Sequence, residues 1–255
     1  MMSPARNSFS PAFDVSASGA LMDHIYRHQR HIYDASRRFY LLGRDGLLAD
    51  LSPPPGGTVL EIGCGTGRNL VKLAKTFPDA LCHGLDLSAE MLDTAKRAVS
   101  RARLGERIRL ARADAASFDP VTLFGRERFD RIIISYALSM VPPWREALAR
   151  AADCLSARGS LHIVDFGDQA GLPAGFQVAL KAWLSLFHVT PRETLAAELA
   201  QLAKAQGLHC KTASRFRGYA LCAVLSALPP NARKGQEDQP PIARSAPVEL
   251  FHLSR

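Results

Sequence analysis

From Val59 onward, short apolar and β-branched runs alternate with longer stretches whose apolar positions recur every three or four residues. VLEI at 59–62, LCHGLDL at 81–87, IRLARA at 108–113, FDRIIIS at 129–135 and SLHIVDF at 160–166 read as strands. Residues 67–77, 88–104, a stretch beginning near Pro142 and Pro143, and 173–206 read as helices. Such alternation predicts parallel strands joined by helical crossovers, an α/β doubly wound sheet. LHCKTASRFRGYALCAVLSAL at 208–228 leaves no room for a crossover helix, so it predicts an antiparallel edge pair. The inventory is a mostly parallel seven-stranded sheet.

Upstream, residues 21–42 carry Ile25, Ile32, Phe39 and Tyr26, Tyr33, Tyr40 at seven-residue spacing, predicting an amphipathic helix with a His- and Arg-rich opposite face. Residues 1–20 and 229–255 are polar, aperiodic and rich in Ser or Pro, and read as disordered tails, with VELFHL at 248–253 a possible docking strand. The expected organisation is one domain over 21–228, with an N-terminal helical lid at 21–50 and a helical insertion at 172–206 that shapes a substrate pocket.

Composition narrows the class. At 255 residues and 47% hydrophobic, the chain can bury roughly three quarters of its unfolded surface in one large core. The longest uncharged stretch, 218–232, is shorter than the roughly 18 residues a spanning helix needs. The N-terminus has neither a basic leader nor a continuous apolar run, so no secretory signal is expected. Five cysteines without a C-x-x-C pattern predict reduced thiols in a cytoplasmic protein. With 32 Lys+Arg against 24 Asp+Glu the formal charge is +8, which favours nucleic acid or an anionic membrane face.

The chemistry concentrates at strand ends. In TVLEIGCGTGRNL a strand runs directly into Gly63-x-Gly65-x-Gly67 and then a helix, a pattern suited to a tight turn and close ligand approach at a helix N-terminus. A dinucleotide fingerprint would place glycine where Arg68 stands, whereas G-x-G-x-G after the acidic Glu61 suits S-adenosyl-L-methionine (AdoMet). GLDLS puts Asp86 at the next strand end, where a carboxylate can accept both ribose hydroxyls. ARADAASFD puts Asp114 and the Ala115 amide where they can read an adenine edge. Cys64 inside the loop, Leu87 and Met91 after Asp86, and Ser135 at the fourth strand end complete the candidate cofactor contacts. Each element alone is an ordinary strand-end turn; three in register give the pattern its specificity.

On these residues the chain resembles the class I AdoMet-dependent methyltransferases from about residue 20 to residue 228, which implies their Rossmann-like sheet and AdoMet cleft. YRHQRHIYDASRRFYLLGRD at 26–45, joined to VLEIGCGTGRNL, is similar to the diacylglycerylhomoserine N-methyltransferases of bacterial betaine-lipid synthesis, as is SYALSMVPPW at 135–144. This resemblance implies three methyl transfers to the amine of a homoserine carried on diacylglycerol. It also implies a lipid substrate met at the inner face of the cytoplasmic membrane. It further implies N-terminal helices folded over the cofactor, making Tyr33 and Tyr40 candidate catalytic residues and Arg44 a partner for the methionine carboxylate. The alternative places both tyrosines in helix packing and Arg44 on the surface.

An amine must arrive unprotonated to attack a sulfonium methyl, and the quaternary product is held by aromatic faces. Tyr136, flanked by Ser135 and Ser139, is the expected amine-orienting residue. An interfacial surface is expected from Arg27, Arg30, Arg37 and Arg38 with the N-terminal stripe, and from Phe176, Trp183, Leu186 and Phe187. The basic run Arg101, Arg103, Arg107, Arg109, Arg112 reads as a solvated face, and Val141 stands where a base-amine methyltransferase would carry Asn, so no nucleic acid partner is expected. His24, His28 and His31 lack converging ligands, so no metal is expected. The alternatives are a quinone, aminophospholipid or other hydrophobic acceptor, a module that binds AdoMet without turnover, and an RNA methyltransferase, which net charge alone supports.

Overall fold

The computed structural model describes residues 41–187 and 189–227; the stripe at 21–40 with Tyr33 and Tyr40, and the tail with VELFHL, lie outside the described residues. Within them the order is α1 (Arg44–Ala49), β1 (Thr58–Ile62), α2 (Arg68–Thr76), β2 (Leu81–Asp86), α3 (Ala89–Arg101), β3 (Ile108–Arg112), α4 (Pro120–Phe124), β4 (Phe129–Ser135), α5 (Trp144–Asp153), β5 (Leu155–Phe166), α6 (Ala174–Ser185), α7 (Leu195–Gln206), β6 (Leu208–Arg215) and β7 (Ala220–Ala227).

Seven strands form one sheet in the order β3-β2-β1-β4-β5-β7-β6. β1 pairs in parallel with β2 on one side and β4 on the other. β7 inserts antiparallel between β5 and the edge strand β6, so the reversal falls on the penultimate strand. β5 begins at Leu155, earlier than the apolar run at 160–166 suggests. Its first residue pairs with Phe129 before the register shifts at Arg131, and the Arg128 guanidinium holds the Leu155 carbonyl at 2.9 Å. The polar SARG stretch hides this start because it has no alternating apolar face.

Both sheet faces are covered. Leu60, Ile62, Ile132, Ile134, Leu161 and Ile163 pack with Trp144, Leu148, Leu195 and Leu199. Val59, Ile133, Val164 and Phe166 pack on the other face with Leu47, Leu48, Leu70, Leu73, Leu180 and Leu184. Each such buried side chain contributes roughly 1.5–3 kcal/mol over exposure. Two helix starts carry side-chain caps: the Ser88 hydroxyl accepts from Met91 N–H at 3.3 Å ahead of α3, and Asp119 accepts from Val121 and Thr122 ahead of α4.

The expected helical region at 173–206 is two helices. Arg192, between them, donates to the Leu138 and Val141 carbonyls at 3.0 Å each, and Thr190 N–H donates to Ser139 O at 2.9 Å. The insertion is thereby tied to the loop that follows β4. Crossovers leave β1 in opposite directions, and the crevice at such a switch point opens outside the carboxyl ends of the strands. That edge carries Gly63–Gly67, Asp86 and the loop after β4.

Candidate functional site

At the end of β1 the chain turns through Gly63, Gly65 and Gly67 with φ of 72°, 54° and 75°, the left-handed region that glycine alone enters at little cost. The reason for two of them is packing within the protein. A Cβ on Gly63 would lie 2.6 Å from the Ala137 methyl, and one on Gly67 3.0 Å from that of Ala95. The loop thus fits between the segment after β4 and helix α3. Gly63 and Cys64 N–H both donate to Leu85 O at 2.9 Å, fastening the loop to β2. The Cys64 thiol is buried, and burial with the nearby Asp86 and Glu61 charges pushes it far above its ordinary range.

Asp86 is fixed by two amides: Gly65 N–H donates to Oδ2 at 2.7 Å and Ser88 N–H to Oδ1 at 3.0 Å. These bonds orient the carboxylate at the end of β2. Glu61, buried in β1, accepts from Asn69 Nδ2 of α2 at 2.7 Å and pins that helix to the strand. Asp114 accepts from the Ala116 amide at 2.7 Å, a turn that presents the half-buried Ala115 beside it. These residues form a cradle whose donors and acceptors match the hydroxyls, adenine edge and charges of AdoMet. Met91, in the first turn of α3, is buried against the half-buried Met140 and Phe187, and the Leu87 carbonyl accepts from Arg112 at 2.9 Å.

Across the edge the structure supplies a group that sequence reasoning missed. Asp165, in β5, is 1% exposed. Its Oδ2 accepts from Ser139 N–H at 3.2 Å and its Oδ1 from Phe166 N–H at 2.8 Å. Burial raises its pKa to about 6 against the opposing amides of Phe166, Ser139 and Leu138. An aspartate closing an apolar strand, in SLHIVDF, was the available signal. Nearby, among the described residues, the buried Ser135 hydroxyl has no hydrogen-bond partner.

Tyr136 sits where expected, but its hydroxyl proton goes elsewhere. The hydroxyl donates to Leu42 O at 2.7 Å, and the ring packs edge-on against Phe166 at 4.8 Å, which in turn meets Tyr219 at 5.8 Å. Burial and the charge of Asp165 hold the phenol well above its usual range. Through this bond the side chain anchors the polypeptide that precedes α1. Arg44 begins α1, half-buried and near enough to ease the Tyr136 shift. Its neighbour Asp45 pairs with Lys72 at 2.7 Å and Arg68 at 3.3 Å on α2, so the lid end is tied to the helix after the glycine loop. Among the described residues no cluster of His, Cys, Asp and Glu could hold a metal, and no helix is long and apolar enough to cross a membrane. Arg107 and Arg112 of the basic run are bonded to the Pro78 and Leu87 carbonyls.

Comparison with known proteins agrees with this geometry. Residues 59–159 match the family described as Methyltransferase domain. Fold and matched domain are those of the class I, Rossmann-like methyltransferases. A methyltransferase of Haloferax volcanii, in complex with its activator, superposes with a TM-score of 0.65 at 16% identity, covering 81% of this chain and 97% of that one. The aklanonic acid methyltransferase of Streptomyces sp. (strain C5) is 34% identical over 116 residues, 45% of this chain and 50% of that protein. The tRNA1(Val) (adenine(37)-N6)-methyltransferase of Porphyromonas gingivalis is 26% identical over 163 residues, 55% of this chain and 64% of that protein. The chain thus spans between half and two thirds of the length of these two curated relatives.

Proposed function

We propose that the protein is an AdoMet-dependent N-methyltransferase that adds three methyl groups to the amine of diacylglycerylhomoserine, working peripherally at the inner face of the cytoplasmic membrane. The observation that carries the reading is the pairing of the glycine-loop cradle around Asp86 with a buried carboxylate, Asp165, whose pKa is about 6. AdoMet supplies an electrophilic methyl on a sulfonium.

The chain's residues position and deprotonate. Asp86, already oriented by Gly65 and Ser88, accepts the ribose hydroxyls. Glu61 keeps α2 and its leading loop in place. Asp114 and the Ala115 amide read the adenine edge, and Arg44 meets the methionine carboxylate. Asp165 would take one proton from the acceptor ammonium for each methyl added and pass it to solvent before the next, while bound AdoMet would supply the methyl to the freed lone pair and leave as S-adenosylhomocysteine. Proton transfer of this kind contributes roughly 10²–10⁴ in rate; positioning and exclusion of water supply most of the rest.

The lipid acceptor is supported by the 26–45 resemblance and by exposed apolar side chains on and after α6 and in the β6–β7 turn. Phe176 is 52%, Val178 69% and Leu186 68% exposed on and after α6, while Leu180 and Leu184 of the same helix face the core. Phe216, in the β6–β7 turn, is 51% exposed. Trp183 packs against Phe187 at 5.0 Å and is not on that surface in full. A quinone or other hydrophobic acceptor would use the same face. Labelled methyl transfer from AdoMet into diacylglycerylhomoserine in mixed micelles, with mass counting of methyls, tests the reading: a product with three added methyls is expected. AdoMet binding without incorporation would redirect the search to other hydrophobic acceptors.

A further inference from the structure

Gln169 follows β5 at the same carboxyl edge of the sheet as Asp165. Its side chain is 0% exposed, and among the described residues neither its Oε1 nor its Nε2 has a hydrogen-bond partner. Its φ of 61° lies in the left-handed region, which a residue with a Cβ occupies only when its surroundings impose it.

The surroundings do impose it. Gln169 N–H donates to Gly218 O at 2.8 Å, and Leu172 N–H donates to Gln169 O at 3.0 Å. On either side Gly167 N–H bonds Tyr219 O at 2.9 Å and Gly171 N–H bonds Arg217 O at 3.1 Å, so the loop is strapped to the β6–β7 turn. A Cβ on Gly167 would stand 2.3 Å from Gly218 O. The backbone is therefore held in one place, and the amide is held with it. A buried amide left unbonded bears the full desolvation penalty, which a leucine of similar volume would not. Strain and an unsatisfied polar group at a ligand-binding edge are what a site carries when the ligand completes it.

We propose that the Gln169 side chain is the specificity-determining group of the acceptor subsite, reading an acceptor in which an amine stands beside a carboxylate. Its carbonyl oxygen accepts from the amine and its NH2 donates to the carboxylate. A side-chain amide is neutral and offers both functions in one plane. Asp165, on the same edge, serves the amine as base; Gln169 discriminates, because an acceptor lacking the carboxylate leaves its donors unpaired. This deepens the amino-acid lipid reading above and rests on it.

The test uses the full chain with Gln169→Leu and Gln169→Glu. Ligand-free Gln169→Leu is expected to melt higher than wild type, with AdoMet affinity within twofold of wild type in both variants. The KM for diacylglycerylhomoserine in mixed micelles is expected to rise at least tenfold in Gln169→Leu. In Gln169→Glu the loss is expected to be larger for the free-carboxylate lipid than for its carboxyl methyl ester, a reversal that a purely structural role would not produce. Unchanged KM in both variants, while wild type methylates the lipid, overturns the role of Gln169 and leaves the acceptor reading standing. Unchanged or lowered melting in Gln169→Leu overturns the unsatisfied amide. Wild type that binds AdoMet yet transfers no methyl to the lipid overturns the acceptor reading and the ligand assigned here with it.

Discussion

The carboxylates at the ends of β1, β2 and β3 and the polar groups at the ends of β4 and β5 stand along one edge of the sheet but are held in different ways. Asp86 is oriented by amides 21 and 2 residues away, Glu61 by an asparagine 8 residues on, and Asp114 by an amide 2 residues on. On the other side, Asp165 is bound by the next amide in the chain and by one 26 residues back, Tyr136 reaches a carbonyl 94 residues away, and Arg192 ties in a carbonyl 54 residues away. The Ser135 hydroxyl and the Gln169 amide are unbonded among the described residues. The first half is held within one βαβαβ stretch, by bonds spanning 2 to 21 residues. The second is assembled from distant segments and retains polar groups for an acceptor to complete.

The largest expected effect breaks the second half. Asp165→Asn should lower kcat by about 100-fold or more, the scale of a lost general base. The wild-type rate should rise with pH through an apparent pKa near 6, and the variant should lack that limb. Stability gives an independent reading. Because burial raises the folded pKa of Asp165 above 3.8, its contribution is fully present below that value and is lost as pH rises through about 6. Arg192 and Tyr136 are the charged and titratable neighbours whose fields couple to it. Urea denaturation of both proteins should therefore show Asp165→Asn gaining on wild type between pH 4 and pH 7.

Next in size is Gly63→Ala, which drives a methyl against Ala137 at a positive φ and should cost about 2–4 kcal/mol, seen as a melting shift of roughly 5–10 °C. Tyr136→Phe removes the bond to Leu42 O and should cost about 1–2 kcal/mol with AdoMet affinity retained. Slowed turnover at saturating AdoMet would return the hydroxyl to the acceptor amine. Asp45→Ala breaks only an exposed pair with Lys72 and Arg68, so its cost should stay below about 0.5 kcal/mol and vanish in high salt.

The same contrast explains what could be read from the sequence. The doubly wound sheet and the sites at Gly63–Gly67, Asp86 and Asp114 follow from periodicity and strand-end turns, which are local properties. The extent of β5 did not, because Ser156–Gly159 carry no alternating apolar face and only the flanking Leu155 and Ser160 pair with β4, at Phe129 and Arg131. Nor did the destination of the Tyr136 proton, since nothing near it in sequence announces Leu42. Asp165 was passed over because its chemistry comes from burial, and burial beneath the post-β4 loop depends on Thr190 and Arg192 folding back from the insertion. Gln169 carries no motif; only its burial and strain mark it.

The division into two halves is tested most directly by titrating AdoMet calorimetrically into wild type, Asp86→Ala and Asp165→Asn. Each charge-assisted bond lost with Asp86 is worth about 1.5–3 kcal/mol, so that variant should bind at least tenfold more weakly, while Asp165→Asn should bind within twofold of wild type. Wild-type affinity in Asp86→Ala, or an equal loss in Asp165→Asn, would contradict the account.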